Sequence, residues 1–169
     1  MKKILSFVAL ILVGVGIVGC TSQNNADSNT ISSAAVRTVR KKSHKKVSQT
    51  KLKIKIGKKT LKAHLNNSSA AKAFAKELPK TMKFWTFGGM SEKVADLGHK
   101  LPTKGMPSGS RGRKGYIGYW SPDRRIVFYY GNESYWEGIH LIGKFDSKNY
   151  AKVIKNASEN VKVKIQVAK

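Results

Sequence analysis

The 169-residue chain offers few groups that could do chemistry: nine Asp and Glu, four histidines and a single cysteine. Acid–base catalysis needs a titratable group held in a cleft, and the nearest candidates are Glu137 and His140, with Tyr135 and Trp136 beside them. Residues three apart in a strand fall on opposite faces, so this pair reads as a strand with a polar rim. His44, His64, His99 and His140 have neither a His-x-x-x-His spacing nor a neighbouring carboxylate pair, and the sequence predicts no metal site and no cofactor. Ser108-Gly109-Ser110 lacks the Gly-x-Ser-x-Gly frame of a serine nucleophile. The glycine-containing stretch from Gly105 to Gly115 lacks the spacing of a phosphate-binding loop and reads as a loop exposing Arg111, Arg113 and Lys114. No catalytic residue is assigned.

Aromatic residues carry more information. Tyr116, Tyr119, Trp120, Phe128, Tyr129, Tyr130, Tyr135 and Trp136 all fall within residues 116–136. Strand alternation turns half of them inward as core. Adjacent pairs such as Tyr119-Trp120 and Tyr129-Tyr130 each force one ring outward. Any one ring reads as edge packing. Together with nearby arginines, the cluster reads as a surface that stacks on sugars or peptide side chains. The candidate ligand-binding residues are Arg111, Arg113, Tyr119, Tyr129, Trp136 and His140.

The lone cysteine is part of an address. Lys2 and Lys3 precede an uncharged apolar run, Ile4 to Val18, shorter than the ~20 residues a spanning helix needs and suited to the h-region of a secretory signal. It ends in Ile17-Val18-Gly19-Cys20, which resembles a bacterial lipobox. That resemblance implies acylation of the Cys20 thiol, cleavage before it, and attachment to the extracytoplasmic face of the cell membrane. Two or more acyl chains anchor firmly where one does not. An exported protein has no nucleic acid to meet, so the net charge of +24 points to other polyanions.

These groups need a scaffold. Residues 1–19 read as signal peptide and 20–50 as a lipidated cysteine with a disordered tether, rich in Ser, Thr and Asn and then basic. Arg37, Arg40, Lys41, Lys42, Lys45 and Lys46 are candidate polyanion contacts, worth ~1 kcal/mol each at an anionic surface, or else a solvated run that extends the tether. Residues 51–169 read as one folded domain. Lys51 to Ile56 alternates strictly and, after Gly57-Lys58-Lys59, Thr60 to Leu65 continues the pattern as a hairpin. Ala70 to Leu78 is predicted helical and stopped by Pro79. Further strands are predicted at Thr81–Phe87, Glu92–Ala95, Tyr116–Trp120, Arg125–Tyr130, Tyr135–Ile142 and Val161–Val167. Residues 96–114 read as loop, and a second helix runs from Asp146 or Ser147 through Ile154. The fold class is mainly β: a small closed barrel with one or two short helices. If the first and last strands are neighbours, their lysines form one basic face.

Several segments in order resemble the bacterial cyclophilin-like domain family: Asn66 to Phe74 with Leu78-Pro79, Glu92 to Ala95, Gly115 to Trp120, Ile126 to Gly131, and Gly138 to Asp146. The resemblance implies a cyclophilin-like barrel and brings no assigned activity. The groove residues of true cyclophilins find no full counterpart; Trp136 and His140, four apart, are a partial echo. The reading is a membrane-anchored module that binds a peptide or an anionic envelope polymer without chemistry. The alternative is a peptidyl-prolyl cis-trans isomerase assisting the folding of exported proteins.

Overall fold

The computed structural model describes residues 49–169. Cys20 and the six basic tether residues, Arg37 to Lys46, lie outside them. In chain order the elements are β1 (Thr50–Ile56), β2 (Lys59–Leu65), α1 (Ser69–Lys76), β3 (Lys80–Thr86), β4 (Glu92–Asp96), β5 (Gly109–Arg111), β6 (Tyr116–Trp120), β7 (Arg125–Tyr129), β8 (Tyr135–Glu137), β9 (Ile139–Phe145), α2 (Tyr150–Lys155) and β10 (Val161–Val167).

Eight strands close into a barrel in the order β1-β10-β3-β4-β7-β6-β9-β2, every pairing antiparallel. Alternation explains the closure. In β1, Leu52, Ile54 and Ile56 point inward while Lys51, Lys53 and Lys55 face water. In β10, Val163 and Ile165 point inward while Lys162 and Lys164 are exposed. Pairing Ile54 with Ile165 and Lys55 with Lys164 puts like with like on each face. The first and last strands are therefore neighbours, as the basic-face expectation required. Gly57, at φ 55°, forms the two-residue β1–β2 turn with Lys58.

The interior is filled by aliphatic side chains and by Phe74, Phe84, Phe128 and Phe145, with Phe84 stacked on Phe128 at 4.3 Å between centroids. Among the described residues, the buried hydrophobic side chains run from Leu52 to Ile165. Ser68 caps α1 by accepting a hydrogen bond from the Ala71 amide at 3.2 Å, and Ala70, Ala71 and Phe74 dock that helix onto the core.

Two expectations fail near the aromatic cluster. The stretch from Tyr135 to Ile142 is two strands, because the backbone turns at Gly138, with φ 93°. A Cβ there would lie 2.6 Å from Pro122 Cδ, so only glycine fits. The segment 96–114 is not all loop either. Its last part forms β5, which pairs with β8 as a separate two-stranded ribbon, Ser110 opposite Trp136. The helices are also shorter than expected: α1 stops at a Glu77 C-cap, and α2 begins only at Tyr150.

Candidate functional site

On β4, β6, β7 and β9 several outward positions are apolar, unlike the lysine-bearing outward positions of β1 and β10. Val94, Val127, Tyr129 and Ile139 form a second buried cluster on the outside of the barrel wall, with Trp85, Tyr116, Trp120 and Leu141 at its margin. Against this wall lies a cavity of about 260 Å³, also lined by Phe87, Met90 and Trp136. That volume is below the ~300 Å³ lower end of small-molecule pockets and suits a single long side chain.

Glu92 is part of the cavity lining. Strand alternation puts it on the same face as Val94, and it is 8% exposed. It makes no side-chain hydrogen bond among the described residues. Desolvation, reinforced by the nearby Glu133 carboxylate and opposed by Arg125, raises its pKa to about 7. Glu133 is fixed in place, its Oε1 accepting from the Ser91 amide at 2.6 Å and its own amide donating to the Gly112 carbonyl at 2.8 Å.

Tyr129 stands beside Glu92, with its ring packed against glycine backbone. A Cβ on Gly112 would come within 2.5 Å of Tyr129 Cε1, and one on Gly118 within 2.7 Å of Cε2. Burial and the two neighbouring carboxylates push its phenol pKa further up, so it stays neutral. Arg125 is braced at the other side: Nε donates to Asp96 Oδ1 at 3.0 Å and Nη1 to Asp123 Oδ2 at 2.7 Å. Its guanidinium carbon also sits 5.6 Å from the Trp85 ring centroid and 5.3 Å from that of Phe87. The Trp120 indole donates to the same Asp123 carboxylate at 3.3 Å. The site is thus an apolar, aromatic-walled slot with one unpartnered carboxyl in its lining and a fixed arginine at its edge.

Of the six candidates from sequence, the structure brings two to this slot. Tyr129 lines it, and Trp136, half exposed on β8, forms part of its rim. Arg111 and Arg113 are exposed and outside its lining, Arg111 opposite Tyr135 in the ribbon. Tyr119 faces the barrel interior, where its hydroxyl accepts from the Leu101 amide at 3.0 Å, so the outward ring of the Tyr119-Trp120 pair is Trp120. His140 is buried opposite Tyr119, with Nε2 3.3 Å from Ser121 Oγ, Nδ1 unpartnered and its pKa lowered by burial. Gly138 separates it from Trp136. Glu92, Glu133 and Met90 were missed. The available signal was the Glu92-Lys93-Val94-Ala95 strand, whose charged residues face opposite sides yet both end up buried.

Lys93 is that second charge, 2% exposed, with Nζ bonded to Thr86 Oγ1 at 2.9 Å and to Glu159 Oε1 at 3.1 Å. Those bonds, with the bonds from Thr86 to the same carboxylate first among them, hold the Glu159 pKa down at about 2. Among the described residues no group of three or more His, Cys, Asp or Glu is arranged to hold a metal ion. A second depression of about 590 Å³, beside the β1–β2 turn and α2, has Lys59 and Lys152 as its only charged lining and no aromatic ring.

The closed antiparallel barrel with an apolar slot on its outer wall defines the class. The cyclophilin-like family profile matches residues 54–166, and the chain belongs to that family. A hypothetical protein from Archaeoglobus fulgidus, solved in solution, superposes with a TM-score of 0.53 at 14% identity, over 71% of this chain and 95% of its own. At that identity the likeness is one of fold. No curated protein matches the chain.

Proposed function

We propose that this protein is a lipid-anchored extracytoplasmic binding module whose cyclophilin-like domain holds a peptide segment against the outer wall of the barrel. The observation that carries the reading is the slot itself, its apolar walls closing on Glu92, a largely buried residue whose carboxyl oxygens make no side-chain hydrogen bond among the described residues and open onto the cavity. Desolvation disfavours the Glu92 carboxylate, and a ligand that supplies a hydrogen-bond donor or a cation relieves it. Indole rings at the mouth and a carboxyl in the lining favour a segment carrying Lys or Arg. The membrane attachment rests on the Cys20 lipobox and the apolar run before it.

Prolyl isomerisation is the second reading, favoured by Arg125, a fixed donor beside an apolar slot. A groove that prefers the twisted amide lowers the ~20 kcal/mol barrier without an acid or base. One experiment addresses both. Residues 49–169 are mixed with short peptides containing Lys or Arg, with and without X-Pro, and followed by NMR. Shifts at the Trp120 and Trp136 indoles that vanish in Trp136→Ala support peptide binding. Accelerated cis–trans exchange, otherwise tens of seconds or slower, makes the domain an isomerase. A folded domain that no peptide perturbs overturns both.

A further inference from the structure

We infer that the lysine-bearing arc of the barrel wall, which adjoins the slot cluster only at Trp85 on β3, is a second binding surface, for a linear polyanion. Strands β2, β1, β10 and β3 are consecutive in the barrel, and none of them contains an Asp or Glu. Their outward positions carry exposed lysines, and the register sets these directly opposite one another: Lys83 faces Lys162, Lys55 faces Lys164, and Lys53 faces Lys62. Lys51 extends the row beside His64. The nearest carboxylates are engaged at the margins, Glu77 with Lys80, Asp146 with His64, and Glu159 with Thr86 and Lys93.

Directly opposed like charges destabilise a sheet. A solvated face needs lysines for solubility but not in facing pairs, since any one-for-one exchange with Glu across the strands would stabilise the barrel. Three such pairs on four adjacent strands make a field that a bound polyanion relieves, with lysine ammoniums on neighbouring strands roughly 5 Å apart at their bases. The wall is convex, being half of a closed eight-stranded barrel. A flat bilayer meets a cylinder along a narrow strip, whereas a flexible polymer follows the curve across all four strands. The occupant is therefore a flexible linear polyanion, for which inorganic polyphosphate serves as the probe, and not a membrane surface.

The test uses the chain from residue 20 onward with Cys20→Ser, so that the basic tether is kept and no thiol can be acylated. Binding to inorganic polyphosphate is measured between about 50 and 200 mM salt for three proteins. These are the parent, a face variant (Lys53→Gln, Lys55→Gln, Lys62→Gln, Lys164→Gln) and a control of equal charge (Lys72→Gln, Lys100→Gln, Lys104→Gln, Lys148→Gln). With about 0.7 counterions released per neutralised phosphate, the value for single-stranded polyanions, the face variant loses about 3 from the log–log salt slope. It is expected to lose at least about 10-fold in affinity at the lower salt, the control no more than about 3-fold, and to melt no lower than the parent, since two of the three facing pairs are gone. Equal losses in the two variants, or an unchanged slope in the face variant, overturn the inference. Phosphatidylglycerol vesicles that outcompete polyphosphate with the same lysine dependence would show the occupant to be a membrane instead.

Discussion

Glu92→Gln separates the electrostatics of the slot from its packing. The carboxyl takes up a proton at about pH 7 in the folded chain against 4.5 ordinarily. Between those values the folded protein binds more protons than the unfolded one, so stability falls as pH rises from about 4.5 to about 7 and levels off above. At 1.36 kcal/mol per pH unit the full gap is worth about 3 kcal/mol, and access of water to the cavity lowers this to about 1–3 kcal/mol. Glutamine keeps the shape and loses the titration. The variant should match the parent near pH 4.5 and exceed it by about 1–3 kcal/mol at pH 8. For a domain of this size that is roughly 4–12 °C in melting temperature. Thermal melts of both proteins across pH 4.5 to 8.5 provide the measurement. Parallel curves would mean that Glu92 titrates as an ordinary surface acid and that the slot holds no buried carboxyl.

Four further outcomes follow from named contacts. Gly118→Ala places a Cβ 2.7 Å from the Tyr129 ring and should cost about 1–3 kcal/mol in chemical denaturation, with a shift in the Tyr129 ring resonances. Trp136→Ala removes a half-exposed ring and should abolish peptide binding while leaving the melting temperature within about 2 °C, the range of surface substitutions. Glu159→Gln strips the buried Lys93 ammonium of its carboxylate. It should destabilise the chain at neutral pH, the difference shrinking as pH falls from 4.5 towards 2, where the parent's own carboxylate protonates. Lys93→Met, which removes the buried charge along with its need for a partner, should be far better tolerated than Glu159→Gln when the two are melted side by side at pH 7.

Much of the barrel is legible in the sequence, because alternation has a period of two and the Lys-Leu-Lys-Ile-Lys-Ile and Val-Lys-Val-Lys-Ile runs fix which face is wet. The slot is less legible for the same reason. On β4, β6 and β7 both faces are covered, one by the barrel interior and one by the external cluster with its neighbouring ribbon, so alternation no longer tells inside from outside. Tyr119 and Trp120 are equally plausible as the outward ring until the pairing of Tyr119 with His140 across β6 and β9 places the tyrosine inside. The break at Gly138 depends on Pro122, sixteen residues away in the chain, whose ring occupies the space a side chain would need. Glu92 and Glu133 lie 41 positions apart, and nothing local marks them as neighbours.

Most of the acidic groups of this barrel lie on one side, while basic groups occur on both. Four adjacent strands carry the lysine pairs, while Glu92, Asp96, Asp123 and Glu133 line the slot or brace its arginine on the other four-strand arc. Such a molecule has a dipole across its short axis and experiences a torque near any anionic layer. Within about a Debye length, ~8–10 Å at ordinary ionic strength, it turns like a vane, lysines toward the layer and slot toward the open medium. The same asymmetry bears on the approach of a cationic ligand, which the lysine pairs repel more strongly than the acid-bearing side does. The orientation of the domain and the capture of its ligand would then weaken together as salt is raised.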